Sequence, residues 1–232
     1  MKNISFRYAV WLLSLTLITA CAHLPEYAKP HTIQIDERQK EISTGFTYRQ
    51  LTREDFRATS LPVNMSTHGD HIKAQSAITI RITAASSLSI IRWLFGDQIN
   101  YFGRINHLAF EAVIIPENSW WSPKINGAMT GYVLQHEQIH FALTEIAARK
   151  LTSEAQKWAS NLSVIKPTPQ QVYAEIFQQI RAMVNSALEA NKKRHLKFDE
   201  DTSLFYSPSW QAWWLETVQK ELKATESAKR DR

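Results

Sequence analysis

Apolar and polar residues alternate along the first half of the chain and fall into helical spacing along the second. Thr32-Ile33-Gln34-Ile35-Asp36 and Ala77-Ile78-Thr79-Ile80-Arg81-Ile82-Thr83 place an apolar side chain at every second position, which predicts two half-buried strands. Residues 107–115 are more apolar and predict a third, deeper strand, while 88–103 fit a strand or a short helix equally well. From Ser122-Pro123 onward the period lengthens. Tyr132, His136, Ile139, His140, Leu143, Ile146 and Ala147 recur at helical spacing, and no proline intervenes between Pro123 and Pro167. A second helix is predicted over 168–197, opened by a capping hydroxyl and a first-turn proline at Thr168-Pro169. A third is predicted over 209–224, where Trp210, Trp213, Trp214, Leu215, Val218 and Leu222 share the period. These tryptophans suit packing onto a core, or alternatively an aromatic patch for substrate or membrane. The expected fold class is α+β: a strand-rich N-terminal half (31–121) packed against a helical C-terminal half (122–225), together one domain over 31–232.

Within the first of these helices, His136-Glu137-Gln138-Ile139-His140 changes the picture from fold to chemistry. Residues i and i+4 of a helix lie almost above one another, so His136 and His140 can offer ring nitrogens to one metal ion, with Glu137 beside it. Zinc so held lowers the pKa of a bound water, and a carboxylate in the position of Glu137 can act as its general base. The chemistry implied is peptide-bond hydrolysis with Zn2+ as cofactor and a peptide or protein as substrate.

The N-terminus bears on location. Lys2 and Arg7 precede an apolar run that is short for a membrane span, the pattern of a secretion signal over 1–20. Leu17-Ile18-Thr19-Ala20-Cys21 resembles the lipobox of bacterial lipoproteins, which implies cleavage before Cys21 and lipid attachment to it, with 21–30 as tether. Cys21 is the only cysteine, so no internal disulfide is available to it. By resemblance to the sorting rule of enteric bacteria, Ala22 after the cysteine implies the outer membrane of the cell envelope, facing the periplasm. Removing Lys2 and Arg7 from the 27 basic residues leaves 25 against 22 acidic ones, a mature charge of +3. That balance, with the basic residues scattered, predicts no nucleic-acid partner. The 44% hydrophobic content suits a globular body.

Four segments resemble the DUF922 family of predicted secreted bacterial zinc-dependent proteases: Leu51-Thr52-Arg53-Glu54-Asp55-Phe56; Ala112-Val113-Ile114-Ile115-Pro116-Glu117-Asn118-Ser119-Trp120-Trp121; the histidine motif with Phe141, Glu145 and Ala148-Arg149-Lys150-Leu151; and Phe198-Asp199-Glu200-Asp201-Thr202. Family members tend to read Tyr-Asp-x-Glu-Thr-x-His-Gly in the last of these. Here Phe198 stands for the tyrosine, Asp201 for the glutamate, and Leu204 and Phe205 for the histidine and glycine. The resemblance implies a zinc metallopeptidase with His136 and His140 as zinc ligands and Glu137 as general base, and the lipobox-like segment adds the lipid anchor. Catalytic zinc normally takes three protein ligands. Asp201, at the family's glutamate position, is the expected third, with Asp199, Glu145 and His195 as alternatives. Tyr206 and Tyr173 are candidates for stabilising an oxyanion, and Trp120 and Trp121 for walling the cleft. The altered last segment supports a different expectation as well, a non-catalytic envelope lipoprotein that keeps the fold for binding or assembly.

Overall fold

A single 34-residue helix, α1 (Gly127–Ser160), carries the histidine motif and organises the rest of the molecule. At 1.5 Å per residue it is about 50 Å long. Its buried residues, among them Val133, Ile139, Phe141, Leu143, Ile146, Ala148 and Leu151, do not fall on one narrow stripe. Such a helix must be covered on several sides. Strands cover one side, and two further helices, α2 (Pro169–Thr202) and α3 (Pro208–Arg230), cover the others. The computed structural model describes residues 31–34, 45–61, 72–125, 127–203 and 206–230. The expected signal segment (1–20), Cys21, the expected tether, Leu204 and Phe205 lie outside the described residues.

The N-terminal half forms strands β1 (His31–Gln34), β2 (Phe46–Thr47), β3 (Ala74–Gln75), β4 (Ile78–Ile82), β5 (Ser87–Phe95), β6 (Gln98–His107), β7 (Phe110–Ile114) and β8 (Trp120–Trp121), and β9 (Val164–Lys166) joins from between α1 and α2. They make three sheets, ordered β1-β5-β6-β9, β2-β7-β4 and β3-β8, with every pairing antiparallel. The fold is α+β, as the change of period along the chain predicts.

Differences from the sequence reading have local causes. Residues 88–103 resolve as strand: β5 and β6 form a hairpin around Gly96-Asp97, with Gly96 at φ 59° and no positive φ at Asp97. A two-residue turn with glycine first matches the twist of paired strands, and no helix can accommodate it. The expected single strand over 107–115 is divided, with His107 ending β6 and β7 beginning at Phe110. Between them Leu108 is buried at the corner. Strands β2, β3, β8 and β9 are two or three residues long, too short to show a period.

One core lies between β4–β7, β9 and the helices, centred on Ile80, Leu88, Leu108, Ala148, Leu151 and Ile176. Gly103 of β6 is required here, because a Cβ would collide with Val172 and Ile176 of α2. A second core packs Leu51, Phe56, Ala112, Ile114 and Trp121 against Val133 and Phe141 of α1. A third joins Ile139, Leu143 and Ile146 of α1 to Phe198 of α2 and to Trp214 and Val218 of α3. The tryptophans of α3 therefore divide. Trp214 is buried against Phe198, whereas Trp210 and Trp213 are half exposed.

Candidate metal centre

Helices α1 and α2 run antiparallel where the motif lies: His136 meets Thr202 and Ser203, His140 meets Asp199 and His195, and Thr144 meets His195 and Asn191. Each set repeats every three or four residues, so a polar stripe on one helix faces a polar stripe on the other. Among the described residues, His136, His140 and Asp199 are the group whose donor atoms converge as metal ligands do.

The convergence is tight. His140 Nε2 lies 3.1 Å from His136 Nε2 and 3.1 Å from Asp199 Oδ1, and His136 Nε2 lies 3.2 Å from Asp199 Oδ1. Tetrahedral zinc with bonds of about 2.0–2.1 Å separates its ligand atoms by roughly 3.3 Å, so the near-equilateral triangle has the size of one tetrahedral face. The residue types fit as well, since imidazole and carboxylate are ordinary zinc ligands. Both imidazoles are mostly buried, and Asp199 is 42% exposed, which leaves the triangle open on the aspartate side. At that rim Ser203 Oγ donates to Asp199 Oδ1 at 3.3 Å.

The far edges of the rings are held too. Thr202 Oγ1 donates to the Phe198 carbonyl at 2.6 Å, which leaves its oxygen to accept from His136 Nδ1 at 3.4 Å. That places a proton on His136 Nδ1 and turns Nε2 toward the triangle, where it meets Asp199 in the metal-free protein and is the atom free to bind a metal. Phe198 supports both rings, stacked on His136 with centroids 4.4 Å apart and edge-on to His140 at 4.9 Å. Behind His140 lies His195, with Nδ1 atoms 2.7 Å apart and ring planes within 3° of parallel. His195 Nε2 contacts Asn191 Nδ2 at 2.8 Å and Thr144 Oγ1 at 3.3 Å. Sequence reasoning names His195 but misses Thr144, Asn191 and Thr202, whose signal is the shared helical period.

Burial works against a charge on His140, but its hydrogen bond to Asp199 and the nearby Glu137 and Asp199 carboxylates outweigh it and raise the pKa. Burial likewise works to raise the Asp199 pKa, and the hydrogen bonds from His136 and His140 overcome it, holding the carboxyl well below the usual carboxylate range. His195 is pushed down to about 4, first by burial and then by the neighbouring His140. It is therefore neutral at pH 7.

Glu137 is buried, and its Oε2 accepts hydrogen bonds from both the backbone N–H of Ser76, at 3.1 Å, and the Ser76 hydroxyl. Ser76 lies in the short link between β3 and β4, so the carboxylate ties the sheet region to the motif helix. Gln138, the next residue, also has work to do. It accepts from the Leu51 N–H at 2.7 Å and donates to the Arg49 carbonyl at 3.2 Å. The adjoining turn is closed by Asp55, which accepts from the Thr52 N–H at 2.8 Å and from Arg49.

Several expectations need correcting. Asp201, the expected third ligand, points away: Oδ1 accepts from Lys197 Nζ at 2.7 Å and Oδ2 from Trp214 Nε1 at 3.1 Å. Two residues of helix rotate it about 200° from Asp199, and Asp199 occupies the site instead. Glu145 is a cross-tie, accepting from Arg149 Nε at 2.7 Å and from the Ala112 N–H of β7 at 3.2 Å. His195 is placed behind a candidate ligand and not among the converging atoms. Tyr173 sits in the first turns of α2, about 39 Å along the helix from Asp199, which is too far for an oxyanion role. Tyr206 stays near the rim, exposed and packed on Tyr132, whose hydroxyl donates to the Thr202 carbonyl at 3.0 Å. Trp121 is buried against Phe56, which assigns it to the core. The groove lined by Tyr48, Gln50, Leu134 and Gln138 opens on the opposite side of α1 and does not reach the imidazoles.

No protein-family model matches this chain, and neither a curated protein nor a solved structure matches it.

Proposed function

We propose that this chain is a zinc-dependent peptidase of the bacterial envelope, held at a membrane through lipidated Cys21. The observation that carries the reading is the triangle of His136 Nε2, His140 Nε2 and Asp199 Oδ1, with edges of 3.1, 3.1 and 3.2 Å, beside a buried glutamate. His136, His140 and Asp199 would hold the ion, and zinc so bound would supply a Lewis acid and a water of lowered pKa. Ser76 holds Oε2 of Glu137, and among the described residues Oε1 carries no hydrogen bond, so Oε1 is the atom that takes the proton of the attacking water and returns it to the leaving amine. Thr202 and His195 fix the two imidazoles from behind, which lowers the cost of ordering them around the ion. The opening on the Asp199 side is where an extended peptide gains access.

A second reading, a non-catalytic envelope lipoprotein, draws on one observation. The double hydrogen bond from Ser76 gives Glu137 a structural role without any catalysis. The experiment that separates the two is zinc content together with hydrolysis of a peptide library by the parent and by Glu137→Gln. Equal hydrolysis by both proteins removes Glu137 as the base, and a zinc-loaded parent that cleaves nothing favours the second reading. Labelled palmitate incorporated by the parent but not by Cys21→Ser tests the anchor.

A further inference from the structure

The β5–β6 hairpin outruns the sheet that supports it. Among the described residues, β1 pairs with Ser87–Ile90 of β5 and β9 with Tyr101–Gly103 of β6, and no strand pairs with the hairpin beyond them. Beyond those residues the hairpin continues through Trp93, Leu94 and Ile99 to the turn at Gly96-Asp97, a finger about 17 Å long at 3.3 Å per residue. Three large apolar side chains cluster at its end, exposed together: Trp93 is 52% exposed, Leu94 59% and Ile99 42%. Leu94 and Ile99 are direct cross-strand partners on one face, while Trp93 projects from the other and packs edge-on against Phe102. The tip is thus apolar on both faces. Nearer its base stand Arg92 and Arg104, both exposed and without an ion-pair partner among the described residues.

The direction of β1 identifies what this tip meets. His31 pairs with Ile90 and Gln34 with Ser87, so β1 runs antiparallel to β5 and His31, its first residue, is the one nearest the finger. Cys21 is ten residues earlier, and ten residues span at most about 35 Å, twice the length of the finger. An anchor at Cys21 is therefore within reach of the tip. We infer that the finger is a membrane-docking element, with Trp93, Leu94 and Ile99 seated in the acyl–headgroup boundary of the bilayer to which Cys21 is attached, and Arg92 and Arg104 at the level of anionic headgroups. Tryptophan and leucine on an amphipathic projection flanked by cations are the chemistry that such an interface binds. A single apolar tip gives weak attachment, so it serves to orient a body that the lipid already holds. The orientation matters for the site: β9 runs toward the tip, α2 begins three residues after it, and Asp199 lies 30 residues along α2, about 45 Å away. A seated finger stands the domain upright and holds the metal centre clear of the bilayer, where soluble proteins of the compartment reach it. This inference rests on the envelope reading of Cys21 and not on the metal.

The test supplies the tether artificially. Residues 1–20 are replaced by a hexahistidine tag held on nickel-chelating lipid in phosphatidylethanolamine–phosphatidylglycerol vesicles, with Cys21→Ser and an environment-sensitive fluorophore on Leu94→Cys. On tethering, the Leu94 probe shifts to the blue and is quenched by lipid-borne bromine, while the same probe on Lys193→Cys of α2 does neither. Adding Trp93→Ser and Ile99→Ser reduces the blue-shifted fraction roughly tenfold. A Leu94 probe that stays in water on tethered protein overturns the inference, as does a shift that develops with protein concentration and no vesicles, which makes a second copy the occupant. Either result leaves acylation of Cys21, read by palmitate, and zinc binding as separate outcomes.

Discussion

The Nδ1 atoms of His140 and His195 lie 2.7 Å apart in parallel rings, a separation that admits one proton between them. When His140 Nε2 gives its lone pair to a metal, that proton belongs on His140 Nδ1 and His195 Nδ1 accepts it. His195 then carries its own proton on Nε2, facing Thr144 Oγ1 and Asn191. Asn191 as placed offers its NH2 there and leaves Oδ1 without a partner. Turned over, it offers Oδ1 as the acceptor. Loss of this support in His195→Ala should weaken zinc binding about ten- to a hundredfold, the range for residues that orient a ligand. Competitive zinc titration measures it, and a loss as large as that for His140→Ala assigns His195 a direct bond to the metal.

The same pair yields a pH prediction for the metal-free protein. His195 has a folded pKa of about 4, below the ordinary value of 6.5, so the unfolded chain binds its proton more readily. The sign follows: from this residue stability is constant above pH 6.5 and declines as pH falls from there toward 4. NMR of the imidazole nitrogens should show His195 neutral at pH 5.5, and His195→Gln should flatten the acid limb of the stability curve over that window. A protonated His195 at pH 5.5 contradicts the prediction.

Glu137 and Ser76 separate chemistry from architecture. Glu137→Gln keeps the shape and a carbonyl oxygen for Ser76, but an amide cannot take a proton from water, so zinc and folding should persist while hydrolysis falls by about two to four orders of magnitude. Ser76→Ala removes the hydroxyl bond to Oε2 and keeps the bond from the backbone N–H, which should lower activity much less. Equal losses in the two variants would show that Glu137 acts only through its contact with Ser76.

The choice between the two aspartates is open to direct measurement. Asp199→Ala should lower zinc affinity as far as either histidine replacement does, since each removes one bond from a three-residue site. Asp201→Ala breaks the contacts to Lys197 and Trp214 and should leave zinc affinity unchanged. Isothermal titration of the two variants decides, and the reverse ranking would mean that α2 is rotated relative to α1.

That ranking also shows what one sequence could reveal. The motif helix was legible because the i, i+4 pair and its apolar neighbours repeat within a single proline-free segment. Asp199 was not, because the stripe of α2 that faces the histidines is decided by tertiary packing. Yet Asn191, His195, Asp199 and Thr202 share one helical stripe and Asp201 does not. With His195 as the marker of the inward face, the period alone favours Asp199 over Asp201. Alternation revealed β1 and β4, whereas β5 and β6, the longest strands, fit strand or helix equally well, and β2, β3 and β8 have too few residues for any period to register. Ser76 had no signal at all, since its role depends on where a link between short strands meets α1.

Phe198 joins stability to the site, and its replacement tests whether the two are coupled. The ring is fully buried, stacked on His136, edge-on to His140 and packed against Trp214, so it is both core and support for the imidazoles. Phe198→Ala should destabilise the fold by about 3–5 kcal/mol, the usual range for a large-to-small change at a buried aromatic. In a chain of this size that lowers Tm by on the order of ten degrees. If Phe198 also holds the rings in place, zinc affinity must fall with it, and the Tm difference between variant and parent will be larger in saturating zinc than in chelator. This follows because a ligand stabilises a protein in proportion to the logarithm of its affinity. Thermal unfolding of both proteins in zinc and in EDTA supplies the comparison. The same Tm difference in both media would show that Phe198 supports the core alone and that His136 and His140 keep their positions without it.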